Sequence, residues 1–191
     1  MVIKRIFEVV TNSLLSVHYQ GKKLHEFARL FKEWQDVAYL EEFFETHRSD
    51  LQSGFYGDMS VEDAVFATLD EAEEFEEYMV DVATEGKKDP DYTLYDKVFH
   101  PLHTYDTSTK LLESKAYSGA RNSWLRIYAI RIANNLYVVT GGAIKLTKAM
   151  QDRPHTEIEL KKLKIVSQYL KELGVESADD YGFIDIQNDE G

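Results

Sequence analysis

The basic side chains of this 191-residue chain are concentrated in one stretch, where they could bind phosphate groups. The whole chain has a formal net charge of −12, but residues 110–171 contain twelve basic and four acidic residues, a net charge of +8. Residues 62–91 and 172–191 are strongly acidic, with net charges of −10 and −7. Lys and Arg neutralise the phosphates of nucleic acids. The basic stretch also contains His155, and histidine can take up or release a proton near neutral pH.

The same charge pattern also arises in proteins that bind no nucleic acid. Helix surfaces are usually charged, and acidic helices often rest against basic ones. An acidic helix or the acidic C-terminal residues could also lie over the basic surface and compete with phosphate. The charges alone therefore do not decide between phosphate binding, ordinary helix packing and autoinhibition.

The strands that would position the basic residues are predicted from residue 124 onwards. Residues 124–131 alternate in hydropathy and are rich in β-branched and aromatic types, as in a half-buried strand. Strand alternation places Arg126 and Tyr128 on the same side. Asn134-Asn135 fits a two-residue hairpin turn, because Asn tolerates the positive φ that such a turn requires. Residues 136–140 then form the returning strand.

A loop and a helix are predicted to follow this hairpin. Gly141-Gly142 ends or bulges the second strand, and Lys145 and Lys148 fall in a stretch without a clear period. Thr156 and Glu159 have the spacing of a capping box. We therefore predict a helix over residues 156–173 with a broad apolar face, closed by Gly174.

The N-terminal half predicts a hairpin followed by two helical regions. Strands are expected at residues 3–10 and 14–19, around a turn at 11–13. Apolar residues then repeat at helical spacing over 24–47, with a break near Gln35-Asp36. Ser60 and Asp63 form a second capping box for a helix that ends near Thr84. Residues 99–109 are predicted to be irregular, and residues 110–117 to form the strand before Trp124.

The order of these elements predicts an α+β fold, with helices packed on one antiparallel sheet. Residues 1–174 are expected to form a single domain, and residues 175–191 an acidic C-terminal tail. At this length the chain can bury a substantial core.

Composition excludes several kinds of site. The chain contains no cysteine, so disulfides and thiolate metal sites are excluded. His100 and His103 lack a third ligand at diagnostic spacing, but they are still possible general bases. Gly141-Gly142 lacks the spacing of a phosphate loop. We expect no metal or cofactor, no signal peptide or membrane span, and a cytoplasmic protein.

Several short motifs occur here in a characteristic order. They are an Arg-bearing strand, a turn, an apolar strand, a loop with Lys and Thr, a Pro, and a Glu-Ile pair that opens a helix. In this chain they fall at Leu125-Arg126-Ile127-Tyr128, 136–139, Lys145, Thr147, Lys148, Pro154 and Glu157-Ile158. This order resembles the C-terminal half of the RelE/HigB family of small bacterial toxins, in its phage-derived HigB-type branch. The similarity at the level of motifs covers residues 94–174.

The resemblance implies a RelE-like fold, enlarged here in its helical N-terminal half. It also implies the toxin component of a type II toxin–antitoxin system. Family members cut messenger RNA without a metal, usually on the ribosome, and HigB-like toxins are neutralised by a helix-turn-helix antitoxin encoded next to them. The expected partners are therefore an antitoxin, messenger RNA and the ribosome, with no membrane.

The resemblance also suggests roles for individual residues. Arg126 would hold a phosphate or act as a structural cation, and Tyr128 would face the same groove. Lys145 and Lys148 would supply positive charge to the transition state or to the RNA backbone. His155 would be the acid or base. Each also has an ordinary alternative: Arg126 could pair with a carboxylate of the acidic helix, His155 could simply precede the last helix, and the lysines could be solvated.

Two further functions stay open on the sequence alone. The chain could be a catalytically inactive relative that binds a protein partner through its acidic helix or tail. It could also be a soluble domain whose likeness to the toxins is only the common hairpin followed by a helix. A groove containing Arg126, Tyr128, Lys145 and Lys148 would favour the nuclease.

Overall fold

The computed structural model describes residues 1–53, 56–103, 111–119, 122–146 and 154–184, with the backbone alone for residues 155 and 156. Within these ranges, six strands form one sheet in the order β1-β2-β6-β5-β4-β3. Their bounds are β1 Ile3–Val10, β2 Leu14–Tyr19, β3 Phe99–Pro101, β4 Leu112–Ala116, β5 Leu125–Ala133 and β6 Leu136–Ile144.

The prediction of an α+β fold is confirmed, but the sheet is mixed and not purely antiparallel. β2 and β6 run parallel, with Leu14 paired to Tyr137 and Ser16 to Val139, while the other neighbouring strands are antiparallel. A parallel pair needs a long crossover connection, and here the helical region between β2 and β3 belongs to that connection. The sequence pattern of each strand contains no information about which distant strand lies beside it.

Helices cover both faces of the sheet. Their bounds are α1 Glu26–Trp34, α2 Val37–Thr46, α3 Arg48–Leu51, α4 Val61–Glu85, α5 Leu94–Lys97 and α6 Pro154–Glu172. One core contains Leu30 of α1, Phe44 of α2 and Phe75 of α4 against Ile127 of β5. The other contains Leu163 and Val166 of α6 against Ile130 of β5. All nine residues of β6 are buried, as expected for a strand between two helical layers.

The predicted helix break at Gln35-Asp36 is confirmed. Gln35 caps the end of α1, and the carboxylate of Asp36 accepts a hydrogen bond from the Tyr39 backbone at 3.1 Å, which begins α2. Ser60 likewise begins α4, since its hydroxyl oxygen accepts from the Asp63 backbone at 3.0 Å. Both helix starts were visible in sequence because capping depends on neighbouring residues only.

The hairpin between β5 and β6 is confirmed, but the expected conformation of its turn is wrong. Neither Asn134 nor Asn135 has a positive φ; the described Asn residues that do are Asn12 and Asn122. The side chain of Asn135 instead accepts a hydrogen bond from the Leu94 backbone at 3.0 Å and donates one to the Ala83 carbonyl at 3.0 Å. Asn135 therefore fixes the end of α4 and the start of α5 against the hairpin.

A bulge interrupts the β5–β6 ladder beside Gly141. Tyr128 pairs with Gly141 and Ala129 with Val139, so Thr140 is the extra residue. The carbonyl of Thr140 accepts a hydrogen bond from the Tyr19 hydroxyl at 2.9 Å. The strand continues through Gly141 and Gly142 to Ile144, so the predicted bulge is confirmed and the strand end at these glycines is not.

The last helix begins at Pro154, two residues earlier than predicted. Glu159 therefore lies inside the helix and does not cap it; its Oε1 accepts from Lys162 Nζ at 2.8 Å. Gly174 adopts a φ of 79° and closes the helix as predicted. Residues beyond it fold back, because Val175 and Ile184 are buried in the same core as α6. None of the helices in these described ranges is both long and apolar enough to cross a membrane.

Candidate functional site

Arg126 lies near the start of β5, at one end of the sheet. Its guanidinium donates to the carbonyl of Leu125 at 2.7 Å and lies 5.2 Å from the centre of the Tyr117 ring. A longer hydrogen bond of 3.5 Å reaches the Ser123 hydroxyl. Within the described residues Arg126 forms no ion pair, so it does not pair directly with a carboxylate of α4.

Tyr128 lies on the same side of β5 as Arg126 but is covered by the α6 layer. Only 1% of its surface is exposed, and burial raises the pKa of its hydroxyl. A ring in this position cannot stack on a base. The alternation of the strand was therefore predicted correctly, but the depth at which α6 covers it was not visible in the sequence.

The other predicted site residues are at most partly described. Lys145 follows β6 at the same end of the sheet as Arg126, since its backbone N–H donates to the Trp124 carbonyl at 2.8 Å. Its own carbonyl accepts from the Tyr56 hydroxyl at 3.1 Å. Lys148 lies outside the described residues, and His155 is described only as the second residue of α6.

Arg126 belongs to a row of three polar and aromatic side chains that crosses this end of the sheet. The His100 ring of β3 stacks on Tyr117, just after β4, with centroids 5.3 Å apart and an interplanar angle of 26°. Arg126 of β5 contacts the same tyrosine from the other neighbouring strand. Tyr117 is 44% exposed. We call His100, Tyr117 and Arg126 the cross-strand row.

Lys115 adds positive charge next to this row. It pairs with His100 across β3–β4 and with Tyr128 across β4–β5, and residues directly opposite each other share a face of the sheet. Lys115 is partly exposed. The face therefore offers two permanent cations, one imidazole and one accessible aromatic ring.

Three carboxylates of α4, Glu74, Glu77 and Asp81, lie next to the same end of the sheet, and we call them the acidic wall. A cleft of about 600 Å³ separates α4 from the β3–β4 region, and its lining includes Glu74, Glu77 and Asp81 together with His100 and Tyr117. Nearby, Glu71 of α4 accepts hydrogen bonds from the hydroxyls of Ser118, at 2.6 Å, and Ser123. Negative charge thus borders the cross-strand row on the α4 side.

A second cluster of charged groups is buried beside Gly141 of β6. Lys162 Nζ of α6 lies 2.7 Å from Glu26 Oε2 and 2.8 Å from Glu159 Oε1. Arg29 binds Glu26 at 2.9 Å and Glu33 at 2.5 Å. A cavity of about 290 Å³ opens beside these groups. Lys162 is counted in the basic stretch of the sequence, but it is only 7% exposed and cannot serve RNA.

The two buried carboxylates differ in proton affinity. Burial raises the pKa of Glu159 to about 7, although Lys162 acts against the shift. Glu26 is also buried, but the hydrogen bonds and charges of Arg29 and Lys162 hold its pKa below the usual range. Glu159 Oε2 has no hydrogen-bond partner within the part of the chain that is described. This cluster joins α1 to α6, so we assign it a structural role.

Sequence reasoning singled out Arg126 and kept His100 as a possible base, but it missed Tyr117 and Lys115. Their role depends on the pairing of β3 with β4 and of β4 with β5, which places residues about 10 to 25 positions apart on one face. The short strand Phe99–Pro101 was predicted to be irregular, so no signal linked His100 to Tyr117. Among the described residues, no group of three His, Asp or Glu side chains could hold a metal ion.

The fold and this face define an α+β protein with a six-stranded mixed sheet and a partly cationic, aromatic sheet end. Comparisons of the chain with known protein families, with curated proteins and with solved structures gave no match.

Proposed function

We propose that this chain is a metal-independent endoribonuclease and acts as the toxin component of a toxin–antitoxin system. The observation that carries the proposal is the cross-strand row, in which an exposed tyrosine lies between an imidazole and a guanidinium. The motif order of residues 124–158 supports it independently. The messenger RNA, a helix-turn-helix antitoxin and the ribosome are the proposed partners.

The row contains the groups that RNA cleavage beside a 2′-hydroxyl requires. That oxygen must lose a proton, the phosphorane must be stabilised, and the leaving 5′-oxygen must gain a proton. His100 is the proposed general base or acid, since histidine serves either role near neutral pH. Arg126 and Lys115 would hold the phosphate and balance its added charge.

Tyr117 would hold a base next to the scissile phosphate. Proteins that bind single-stranded RNA stack unpaired bases on accessible aromatic rings. Tyr117 has 44% of its surface exposed and can stack on a base, whereas Tyr128 is buried. Lys145 and Lys148 are proposed to add charge from the loop that follows β6, and His155 to assist from the start of α6.

A binding module without catalysis is the second candidate. Its support is the acidic wall of Glu74, Glu77 and Asp81, which would repel RNA from one side of the row. The guanidinium of Arg126 is also engaged by its own strand, through the Leu125 carbonyl. In this alternative the row contacts a protein.

Expression of the chain alone in a bacterium tests the nuclease. We expect growth arrest and broken messenger RNA, both lost in the double variant His100→Ala/Arg126→Ala. The matched control is Arg131→Ala at the other end of β5, where Arg131 lies 4.3 Å from the Tyr95 ring in the same type of contact. Normal growth and intact RNA with folded wild-type protein would leave the binding module as the better account.

A second variant separates the row from the loop. Lys145→Ala/Lys148→Ala removes the charges suggested by the motif while leaving the row intact. If this variant is inactive and His100→Ala/Arg126→Ala is active, the site lies in the loop and not on the row.

A further inference from the structure

Helices α2 and α4 leave an open cleft between them, on the side of the molecule away from α6. The cleft has a volume of about 390 Å³. Within the part of the chain that is described, its lining consists of apolar and glutamate side chains, among them Val37 and Phe66 and the three carboxylates Glu41, Glu45 and Glu62. We call it the α2–α4 cleft.

The apolar part of the cleft is unusually exposed. Phe66 has 60% and Val37 has 48% of its surface exposed. Val65, which also lines the cleft, is buried, with only 4% of its surface exposed. A single exposed apolar residue is ordinary, but large apolar side chains grouped together and rimmed by charged ones mark interaction surfaces. Burial of Phe66 and Val37 by a partner would remove apolar surface from water, which favours binding.

Among the described residues, the charged side chains that line the cleft are all acidic. α2 contains three acidic residues and α4 contains ten, and neither helix contains a Lys or Arg. Of the three glutamates in the cleft, only Glu45 has an ion pair among the described residues, with the exposed Arg48 at 2.6 Å. A partner must therefore bring positive charge together with apolar side chains.

The shape of the cleft favours a helical occupant. Val37, Glu41 and Glu45 follow each other at intervals of four residues and so form one stripe along α2, about 12 Å long at 1.5 Å per residue. A groove between two helices receives the apolar face of a third helix, whose side chains repeat at positions i, i+3, i+4 and i+7. An RNA is excluded here, because glutamates repel phosphate.

We propose that the α2–α4 cleft binds a basic amphipathic helix of a partner protein, with apolar side chains on Phe66 and Val37 and Lys or Arg beside Glu41, Glu45 and Glu62. This inference does not depend on the endoribonuclease proposal, since it concerns a different surface. Either one can fail while the other holds.

The test uses a labelled helical peptide of Leu and Lys with one apolar face, followed by fluorescence anisotropy. An isomeric peptide with the same composition but no apolar face reports purely electrostatic binding. We expect wild-type protein to bind the first peptide at least about tenfold more tightly than the second. The variant Phe66→Ser should lose this preference and keep its fold, because Phe66 is mostly exposed; circular dichroism checks the fold.

Charge reversal gives the second arm. The variant Glu41→Lys/Glu45→Lys/Glu62→Lys should bind the amphipathic peptide at least about tenfold more weakly than wild type. The salt concentration is about 0.15 M, at which screening limits charge effects to roughly 8 Å. The control Glu42→Lys/Asp70→Lys/Glu73→Lys makes the same charge change on the same helices outside the cleft, and should stay within about twofold of wild type.

Three results would overturn the proposal. If both triple variants lost peptide affinity equally, the binding would be nonspecific. If wild type did not prefer the amphipathic peptide, a basic amphipathic helix would be excluded as the partner. A dimer of the wild type in sedimentation velocity that Phe66→Ser dissociates would assign the cleft to a second copy of this chain.

Discussion

Lys162 Nζ lies 2.7 Å from Glu26 Oε2, and this ion pair joins α6 to α1. The two helices otherwise pack on opposite faces. The pair lies beside the part of β6 that extends past the last β2 partner, Val139. The charged cluster therefore lies where β6 is no longer paired with β2.

Removal of Lys162 should destabilise the protein strongly. Lys162→Met leaves Glu26 and Glu159 buried without their shared cation, and breaking a buried ion pair in this way costs about 3–5 kcal/mol. Urea denaturation measures the loss. The neighbouring Lys161→Met is the control, because Lys161 makes an exposed ion pair with Glu157 and its replacement should change stability by less than about 1 kcal/mol. Similar losses in both variants would contradict the structural role of the cluster.

Stability should fall as the pH rises from about 4.5 to about 7. The folded protein keeps the proton of Glu159 up to a pKa of about 7, whereas the unfolded chain releases it near the ordinary value of 4.5. The folded state therefore binds more protons in this window, which amounts to about 3 kcal/mol at most. Glu26, whose pKa is held low, gives a slope of opposite sign only below its ordinary value of 4.5.

Glu159→Gln isolates this effect. The difference in unfolding free energy between wild type and variant should change with pH between about 4.5 and 7 and be constant above that range. A difference that stays constant throughout would show that Glu159 has its ordinary pKa in the folded protein.

Gly141 should not accept a side chain. A Cβ at this position would meet Glu159 Oε2 and lie 2.9 Å from Lys162 Cδ, so Gly141→Ala forces the cluster apart and should cost about 1–3 kcal/mol. The loss should be smaller when Glu159→Ala is already present, because the two residues compete for the same space. Thermal unfolding of the single and double variants measures this coupling.

The control for this prediction is Gly119→Ala, where a Cβ would meet no atom of the described residues within 4 Å. We expect a change of no more than about 0.5 kcal/mol there. Strict additivity of Gly141→Ala and Glu159→Ala would mean that the steric conflict does not exist.

RNA affinity should depend on the ring of Tyr117. Tyr117→Ser removes the exposed stacking surface and should weaken binding of a labelled single-stranded RNA by about 1–3 kcal/mol, whereas Tyr117→Phe should not. Tyr128→Phe should leave the affinity unchanged, because Tyr128 is buried. Tyr95→Ser is the matched control, since Tyr95 is 39% exposed beside Arg131. Equal losses for Tyr117→Ser and Tyr95→Ser would exclude a specific stacking site.

Neutralising the acidic wall should strengthen RNA binding. Glu74→Gln/Glu77→Gln/Asp81→Asn removes negative charge beside the cross-strand row, and we expect roughly a twofold to tenfold gain in affinity that shrinks at high salt. Glu41→Gln/Glu45→Gln/Glu62→Gln removes the same charge from the α2–α4 cleft and serves as the control. A gain of the same size in both would indicate a general effect of net charge.

The features that sequence predicted correctly are those decided by near neighbours. The break between α1 and α2 follows from Asp36 and Tyr39, and the start of α4 from Ser60 and Asp63. Gly174 ended α6 because its backbone needs a positive φ.

The features that were missed depend on distant partners. Glu26 and Lys162 are 136 residues apart, and the sequence around either residue does not indicate that they form a pair. Glu159 matched a capping box by spacing, but the helix began earlier and turned its side chain into the cluster. The candidate site shows the same limit, because Arg126 was found from its strand motif while Tyr117 required the pairing of β4 with β5.

The parallel contact between β2 and β6 also determines when the sheet can form during synthesis. Tyr19 and Thr140, which are hydrogen-bonded beside that contact, are separated by 121 residues. A ribosome that adds roughly 5–20 residues per second needs about 6–24 s between them. During this interval the β1–β2 hairpin has no β6 to pair with, so its inner edge is open to other strands. The strand order thus leaves an unpaired strand edge that can pair with another chain while β6 is still being made.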